Sequence, residues 1–333
     1  AQTINFTSAP INVGSGLQSH TLSLNLSESQ HGGIFVTVTS NDSTLALVAA
    51  DQVSTGSPVL TRFIPNGTTY HEFVVQALEG VTGFTTMTAS APGFTSDQLS
   101  VEVDTPRFEI SGLDASTTVL SPDDDFLVRV GRPNGPGNWN SSERMRVGGP
   151  GVSVSFTNSD PLLAELVTSS QTGQAINLNL FGGQKTTGAS VSGGGIALRQ
   201  LAGGTTNVTV NMPGFDAADS NYITVNIEEA KVVLSSGSVV VGAGLRTQLI
   251  SIGVNGPDHG GTTIDLVSAD PNMALVSATP NAVGQASTSV FIPDGEMWGI
   301  FYVHGVEGGE GIAPFEASAP GFLSVNDGFN VVV

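Results

Sequence analysis

The sequence predicts an all-β protein of three tandem antiparallel β-sandwiches that form an elongated rod. A Pro-Gly-Phe turn occurs three times, at residues 92–94, 213–215 and 320–322. Each copy precedes a run of alternating apolar residues, at 99–103, 223–227 and 329–333. Pro-Gly marks a turn and the alternation marks a half-buried strand. The end of one structural unit therefore recurs three times.

Two of the repeats match along their whole length. Residues 1–105 and 229–333 align without a gap, and about a third of the aligned pairs are identical. Residue n of the first repeat thus corresponds to residue n + 228 of the third. Repeats of this length and identity are predicted to share one fold.

The middle repeat, residues 106–228, is a diverged copy. Residues 134–136 match 255–257, and residues 159–164 match 269–274. These two matching segments are separated by fewer residues in the third repeat than in the middle repeat. The difference predicts an insertion near residues 137–149. A second stretch, 182–195, is rich in Gly, Ser and Thr. We expect it to replace the strand that ends in Phe-Ile-Pro in the other repeats.

The strands of the first repeat follow from its turn signals. Ser40-Asn41-Asp42-Ser43 predicts an Asx-type turn, and residues 65–67 and 91–94 predict further turns. About seven strands with 8–12 residues between turns, and no helical pattern, favour an antiparallel sandwich. The predicted strands are 21–26, 34–39, 45–49, 59–64, 73–77, 85–90 and 99–103.

Charge and composition exclude several classes of partner. Ten Lys and Arg against 29 Asp and Glu give a formal net charge of −19. Such a surface repels nucleic acid and anionic membranes, and no run of apolar residues is long enough for membrane insertion. The absence of Cys excludes disulfides, thiolate metal sites and Cys nucleophiles. The start at Ala1-Gln2 leads us to expect an extracellular or cell-surface chain after signal-peptide removal.

The Ser-Asp-Pro-type turn, the Phe-Ile-Pro-Xaa-Gly strand end and the Thr-Ala-Ser-Ala-Pro-Gly-Phe piece resemble bacterial immunoglobulin-like and Calx-beta-like tandem repeats. The resemblance implies three immunoglobulin-like sandwiches of a secreted or cell-surface protein. Calx-beta domains bind calcium through carboxylates at one end of the sandwich. The resemblance therefore implies the following candidates: Glu79, Glu307, Asp104, Glu228 and Glu229.

The acidic cluster Asp123, Asp124 and Asp125 has two interpretations. It is either a solvated turn before a strand or a Ca²⁺ site, because adjacent carboxylates repel one another until a cation binds.

The insertion concentrates rare residue types. Trp139, Arg144 and Arg146 lie in it, and they are candidate contacts for a glycan or a protein partner. Alternatively, Trp139 folds back onto its own sandwich.

The histidines show no catalytic arrangement. His31 and His259 correspond between the repeats, each beside Gly-Gly, and we expect each imidazole to bond nearby backbone. The alternative is a metal ligand. Neither a zinc-protease nor a nucleophile-elbow motif occurs in the sequence.

Repetition without a catalytic motif predicts a non-enzymatic structural or adhesive protein of an extracellular filament or cell surface. Its partners are expected to be further copies, joined head to tail, or other surface proteins. Phe329, Val331 and Val333 at one end and residues 4–13 at the other are predicted as edge strands for assembly. The alternative is a glycan-binding or spacer module of a secreted hydrolase.

Overall fold

The structure is a computed structural model that describes residues 1–8, 10–133, 139–235, 237–325 and 330–332. It is built almost wholly from β-strands, in three groups that we name the N-terminal, middle and C-terminal units. The strands of the N-terminal unit are β1 (Ile4–Phe6), β2 (Ile11–Gly14), β3 (Leu17–Gln18), β4 (Leu22–Leu26), β5 (Ile34–Ser40), β6 (Ala46–Ala49), β7 (Val59–Ile64), β8 (Tyr70–Ala77), β9 (Gly83–Ser90) and β10 (Asp97–Asp104).

The other two units complete the described strands. The strands of the middle unit are β11 (Arg107–Ser111), β12 (Ser116–Thr118), β13 (Asp124–Pro133), β14 (Trp139–Ser142), β15 (Arg144–Met145), β16 (Val152–Asn158), β17 (Ala164–Val167), β18 (Thr172–Gly173), β19 (Ala175–Leu180), β20 (Ile196–Gln200), β21 (Gly204–Asn211), β22 (Asp216–Ala217) and β23 (Tyr222–Glu228). The strands of the C-terminal unit are β24 (Val232–Leu234), β25 (Ser238–Val240), β26 (Ile250–Val254), β27 (Thr262–Ser268), β28 (Ala274–Ser277), β29 (Ser287–Ile292), β30 (Trp298–Gly305), β31 (Ile312–Ser318) and β32 (Asn330–Val332).

Each unit pairs two sheets, and one sheet has the same five-strand order in all three. These orders are β2-β10-β9-β5-β7, β12-β23-β21-β16-β19 and β25-β32-β31-β27-β29. The facing sheets are β1-β4-β8-β3-β15 with β6 on β8, then β18-β17-β20-β13-β11-β22 with β14 on β13, and β24-β26-β30-β28. The predicted all-β sandwich class is confirmed. A 3₁₀ turn, Val191–Gly193, is the only helical element in the described ranges, and no helix there could span a membrane.

The sheets are mixed, although the sequence predicted antiparallel ones. In each unit a short early strand runs parallel to the last strand of that unit: β2 beside β10, β12 beside β23, and β25 beside β32. At this edge the second strand of each unit therefore runs in the same direction as the last strand of that unit.

Of the predicted assembly edge at Phe329, Val331 and Val333, the structure describes Val331 alone. Val331 lies in β32, which pairs with β25 on one side and β31 on the other. A strand with two neighbours offers no free backbone edge to a partner. Phe329 and Val333 lie outside the described residues. At the other end of the chain, β1 and β2 are edge strands.

The Pro-Gly-Phe turns hold the end of each core. Gly93, Gly214 and Gly321 adopt φ values of 81°, 81° and 83°, in the left-handed region that favours glycine. The phenylalanines that follow are partly buried against the cores. The predicted Asx turn is also confirmed, because Asp42 accepts a hydrogen bond from the Thr44 N–H at 2.9 Å.

The cores are joined unequally along the chain. The buried side chains of the N-terminal and middle units form one continuous cluster, whereas the C-terminal unit has its own. Leu120 of the middle unit belongs to that second cluster. Its carbonyl accepts a hydrogen bond from the Asp258 N–H at 2.9 Å, and its backbone and Cβ pack against Gly256. The loop at 255–258 thus covers the bend that follows β12 of the preceding unit.

Candidate functional site at the joint between the first two units

The insertion of the middle unit adds a strand to the sheet of the N-terminal unit. It first forms β14, which pairs antiparallel with β13. It then leaves its own sandwich as β15, in which Arg144 lies opposite Gln18 and Met145 opposite Leu17. The edge of β3, which would otherwise be open, is therefore occupied by a strand of the next unit.

Apolar contact and backbone bonds hold this strand in place. Met145 is buried, and Leu17 beneath it is fully buried. The Arg146 N–H donates to the Gly16 carbonyl at 3.0 Å, and the Val147 N–H donates to Oε1 of Gln18 at 3.1 Å. The contact is thus a continuous strand extension rather than a few isolated side-chain contacts.

A bidentate ion pair joins the two units beside β15. Arg146 Nε donates to Glu79 Oε1 at 2.8 Å, and Nη2 donates to Oε2 at 2.7 Å. The Arg146 side chain is only 11% exposed. Parallel bonds of this kind fix orientation as well as distance, and partial burial reduces their screening by solvent.

Glu143 is a buried carboxyl at the centre of the joint. Its Oε2 accepts a hydrogen bond from the Gly14 N–H at 2.9 Å, and its Oε1 lies 2.9 Å from Nε of Arg132. Arg132 Nε makes the ionic contact without hydrogen-bond alignment. Burial outweighs the lowering effects of Gly14 and Arg132 and raises the pKa of Glu143 to about 8.

A polar groove of about 830 Å³ lies beside the insertion. Its lining includes Arg144 and Lys185, the strand residues Asn177 and Asn179, and Phe181, which is 56% exposed. Nη1 of Arg144 donates to the Gly183 carbonyl at 2.7 Å. The groove therefore combines amides, two cations and an exposed aromatic ring, which are groups that bind polar ligands.

The glycine-rich stretch 182–195 was expected to replace a strand, and that prediction was wrong. β19 pairs with β16 as β7 pairs with β5, so the strand is retained. The stretch follows β19 and runs beside β13, where Lys185 accepts a hydrogen bond from Val130 at 3.0 Å. The sequence spacing fits either the loss of a strand or a longer loop after a strand that is retained.

The candidate contact residues have different positions. Arg146 lies in the joint, so it is a contact between units and is not available to an external ligand. Arg144 lines the groove. Trp139 begins β14, with its backbone opposite Pro133, and its side chain lies outside the described residues.

The acidic cluster does not converge on one point. Asp123 forms a bidentate ion pair with Arg199 at 3.0 and 2.8 Å. Asp124 accepts a bond from the Asp114 N–H at 2.8 Å, and Asp125 accepts one from the Val191 N–H at 3.0 Å. Burial raises the pKa of Asp124. Each of the three carboxylates thus binds a different partner within the protein, and the calcium interpretation stays a prediction.

The carboxylates that the resemblance implied are also dispersed. Glu79 binds Arg146, Asp104 accepts a bond from Asn12 at 3.0 Å, and Glu228 pairs with Lys231 at 2.7 Å. Glu307 and Glu229 form no ion pair with a described residue. Within those same described ranges no three His, Asp or Glu side chains form a group suited to a metal ion.

The paired histidines bond backbone, as predicted. Nδ1 of His31 accepts from the Gly33 N–H at 3.2 Å, so Nε2 carries the proton and donates to the Thr68 carbonyl at 2.9 Å. His259 repeats both bonds, with Gly261 at 3.1 Å and Glu296 at 2.8 Å.

Sequence reasoning missed the joint, although it singled out residues 137–149 as a predicted insertion. The partners Glu79, Glu143 and Gly14 were not predicted as a group, since 129 residues separate Gly14 from Glu143. The available signal was an insertion with two arginines in a chain that has only ten Lys and Arg.

No family model and no curated protein matches the sequence. Among solved structures, the chain is similar to CBD12 from CALX1.2, with a TM-score of 0.32 and 8% identity over 64% of this chain and 80% of that chain. It is similar to invasin, a bacterial integrin-binding protein, with a TM-score of 0.28 and 10% identity over 96% of this chain and 57% of that chain.

A third similar structure is the adhesin InvE of Yersinia pseudotuberculosis, with a TM-score of 0.26 and 13% identity over 67% of this chain and 58% of that chain. The chain therefore spans little more than half the length of invasin and InvE.

The ion pair of the joint is predicted to contribute to stability. Arg146→Ala and Glu79→Ala should each lower the free energy of unfolding by about 2 kcal/mol, because each removes two charge-assisted hydrogen bonds. Glu307→Ala, the equivalent change in the C-terminal unit, should stay within about 0.5 kcal/mol. Urea unfolding of the three variants measures this. Equal losses of unfolding free energy for Glu79→Ala and Glu307→Ala would contradict a stabilising role of the ion pair.

The buried carboxyl is predicted to make stability pH-dependent. The pKa of Glu143 is about 8 in the folded protein, against an ordinary value of 4.5. Between pH 4.5 and about 8, the folded protein therefore keeps a proton on Glu143 that the unfolded chain has released. The stability that Glu143 contributes is therefore present at low pH and lost as the pH rises towards 8.

Glu143→Gln keeps an acceptor for Gly14 and cannot titrate. The free energy of unfolding of the native protein minus that of the variant should decrease as the pH rises from 4.5 to about 8. A difference that stays constant or increases over this range contradicts the prediction.

Proposed function

We propose that this chain is a non-enzymatic extracellular protein with a structural or adhesive role, in which the first two sandwiches act as one stiff segment. The observation that carries the proposal is β15, a strand of the middle unit that completes the sheet of the N-terminal unit. A structural segment that transmits force or sets a distance must resist bending where its units meet. The contacts at the first joint support that property.

Three features of the joint support stiffness. The strand pairing of β15 with β3 fixes the register between units. The bidentate bonds between Arg146 and Glu79 fix the orientation, and the cores of both units form one buried cluster. Bending at the joint would break all three kinds of contact together, whereas a simple linker would only reorient.

The chemistry of the surface supports an extracellular setting. A net charge of −19 keeps such a chain soluble and repels nucleic acid. The partners in this proposal are further copies of the chain or other surface proteins.

Stiffness at the first joint can be measured with pairs of spin labels. The chain has no cysteine, so Cys residues introduced at the exposed positions Val59 and Leu162 are unique labelling sites. The distance distribution between them should be narrow, and it should broaden in the double variant Met145→Ser with Arg146→Ala, which weakens the joint.

The control pair lies across the second joint. Labels at Leu162 and Val283, both exposed, should give a distribution that the double variant does not change. A broad distribution between Val59 and Leu162 in the native protein would reject the stiff segment.

A second candidate function is glycan binding in the groove beside the insertion, as a module of a larger secreted protein. The exposed ring of Phe181 between amide and cationic side chains favours it, because sugars combine an apolar face with hydroxyl groups.

Glycan arrays followed by calorimetry test the groove. Phe181→Ala should weaken binding about tenfold, the loss expected for one stacked ring. Phe291→Ala removes another exposed ring, from the C-terminal unit, and should leave binding unchanged. The absence of any glycan bound by the native chain rejects this candidate.

A further inference from the structure

The C-terminal unit repeats the bend that accepts β15 in the N-terminal unit. Residues 242–246 correspond to residues 14–18. The two bends have the same shape: Gly16 and Gly244 have φ values of 74° and 72°. In both bends a leucine packs closely against the glycine three residues before it. A Cβ added at Gly14 would lie 2.7 Å from the Leu17 side chain, and one added at Gly242 would lie 2.9 Å from the Leu245 side chain.

The pairing on the inner side of the two bends is also the same. Gln18 pairs with Gln76 of β8, and Arg246 pairs antiparallel with the equivalent residue, His304 of β30. The acceptor geometry is therefore present in the C-terminal unit without an added strand.

The two bends differ in what covers them. Leu17 is 0% exposed beneath β15, whereas Leu245 is 65% exposed. The Gly16 carbonyl accepts a bond from Arg146, but no described residue donates to the Gly244 carbonyl. Glu79 is bound by Arg146, whereas its equivalent, Glu307, is exposed and has no ion-pair partner among the described residues.

In the N-terminal and middle units, this bend lies at the contact with the unit that follows. In the N-terminal unit it is covered by β15, and in the middle unit the equivalent bend at Leu120 is covered by the loop at 255–258. In the C-terminal unit, which comes last in the described chain, the same position carries the exposed Leu245. Val283, the equivalent of Thr55 that contacts Gly148 in the first joint, is 84% exposed.

The occupied site specifies the chemistry of an occupant. Opposite Leu17 lies Met145, so an apolar residue fits opposite Leu245. The next residue, Arg146, binds Glu79, so an arginine fits Glu307. Arg144 lies opposite Gln18, but the equivalent residue here is Arg246, and like charges directly opposite are unfavourable. An acidic residue therefore fits that position.

We propose that the bend at residues 242–246, with Glu307, is a strand-acceptor site for a partner protein. The ligand is an extended segment in which an acidic residue, an apolar residue and an arginine follow one another. This role goes beyond that of a stiff segment, and its test measures binding at the C-terminal bend rather than stiffness at the first joint.

The test uses the full chain and a labelled peptide, Ser-Glu-Glu-Met-Arg-Val-Gly-Gly. This is the sequence of residues 142–149 with glutamate in place of Arg144. Fluorescence anisotropy should detect binding, and Glu307→Gln and Leu245→Ser should each weaken it about tenfold or more. Leu162→Ser, a change at another exposed leucine, should have no effect.

The peptide with the native Arg144 should bind more weakly than the glutamate peptide. Leu245 is exposed and Glu307 has no ion-pair partner among the described residues, so both variants should keep the melting temperature of the native chain. That measurement separates loss of binding from loss of folding.

Two outcomes would overturn the proposal. One is a lack of binding, or binding that Glu307→Gln and Leu245→Ser leave unchanged, as expected if the peptide only displaces β15. The other is self-association of the peptide-free chain that Leu245→Ser abolishes, which assigns the surface to a second copy. Neither result affects the spin-label measurement of stiffness at the first joint.

Discussion

The arrangement of this protein depends on one backbone pairing, in which β15 of the middle unit extends the sheet of the N-terminal unit at β3. That pairing buries Leu17, places Arg146 against Glu79 and encloses Glu143 beside Gly14. Each of these side chains would face water if the strand were absent. The backbone bonds set the position, and the side-chain contacts then make any other position unfavourable, since a displaced Arg146 would lose Glu79 and a displaced Glu143 would lose the Gly14 N–H.

Basic side chains are scarce in this acidic chain, and two of them form ion-pair contacts at this joint. Arg146 binds Glu79, and Arg132 lies against Glu143. In a chain with net charge −19, unpaired carboxylates repel one another, so an arginine between two units both attracts and orients them. Where the C-terminal unit repeats the same bend, Glu307 has no such cation among the described residues. The contrast between Glu79 and Glu307 supports the proposed strand-acceptor site of the C-terminal unit.

Much of the fold could be predicted from periodicity and turns. The strands, the Asx turn at Asp42 and the backbone bonds of His31 depend on residues that are close in sequence or matched between repeats. The differences between the sequence patterns and the observed contacts have a common cause. The Asp123–Asp125 cluster, the stretch 182–195 and the strand at Val331 were each interpreted from local sequence, whereas their partners are distant: Arg199, β13 and β25.

The sequence by itself determined three β-rich repeats, their alignment and the place where the middle repeat departs from the others. Local pattern suffices for these properties, because alternation and turn residues act over a few positions. Only the tertiary structure decided that the insertion leaves its own sandwich, that Arg146 faces Glu79 and that Leu17 is buried while Leu245 is exposed. These outcomes depend on which surfaces meet after folding, and two residues with the same local sequence differ once a strand covers one of them.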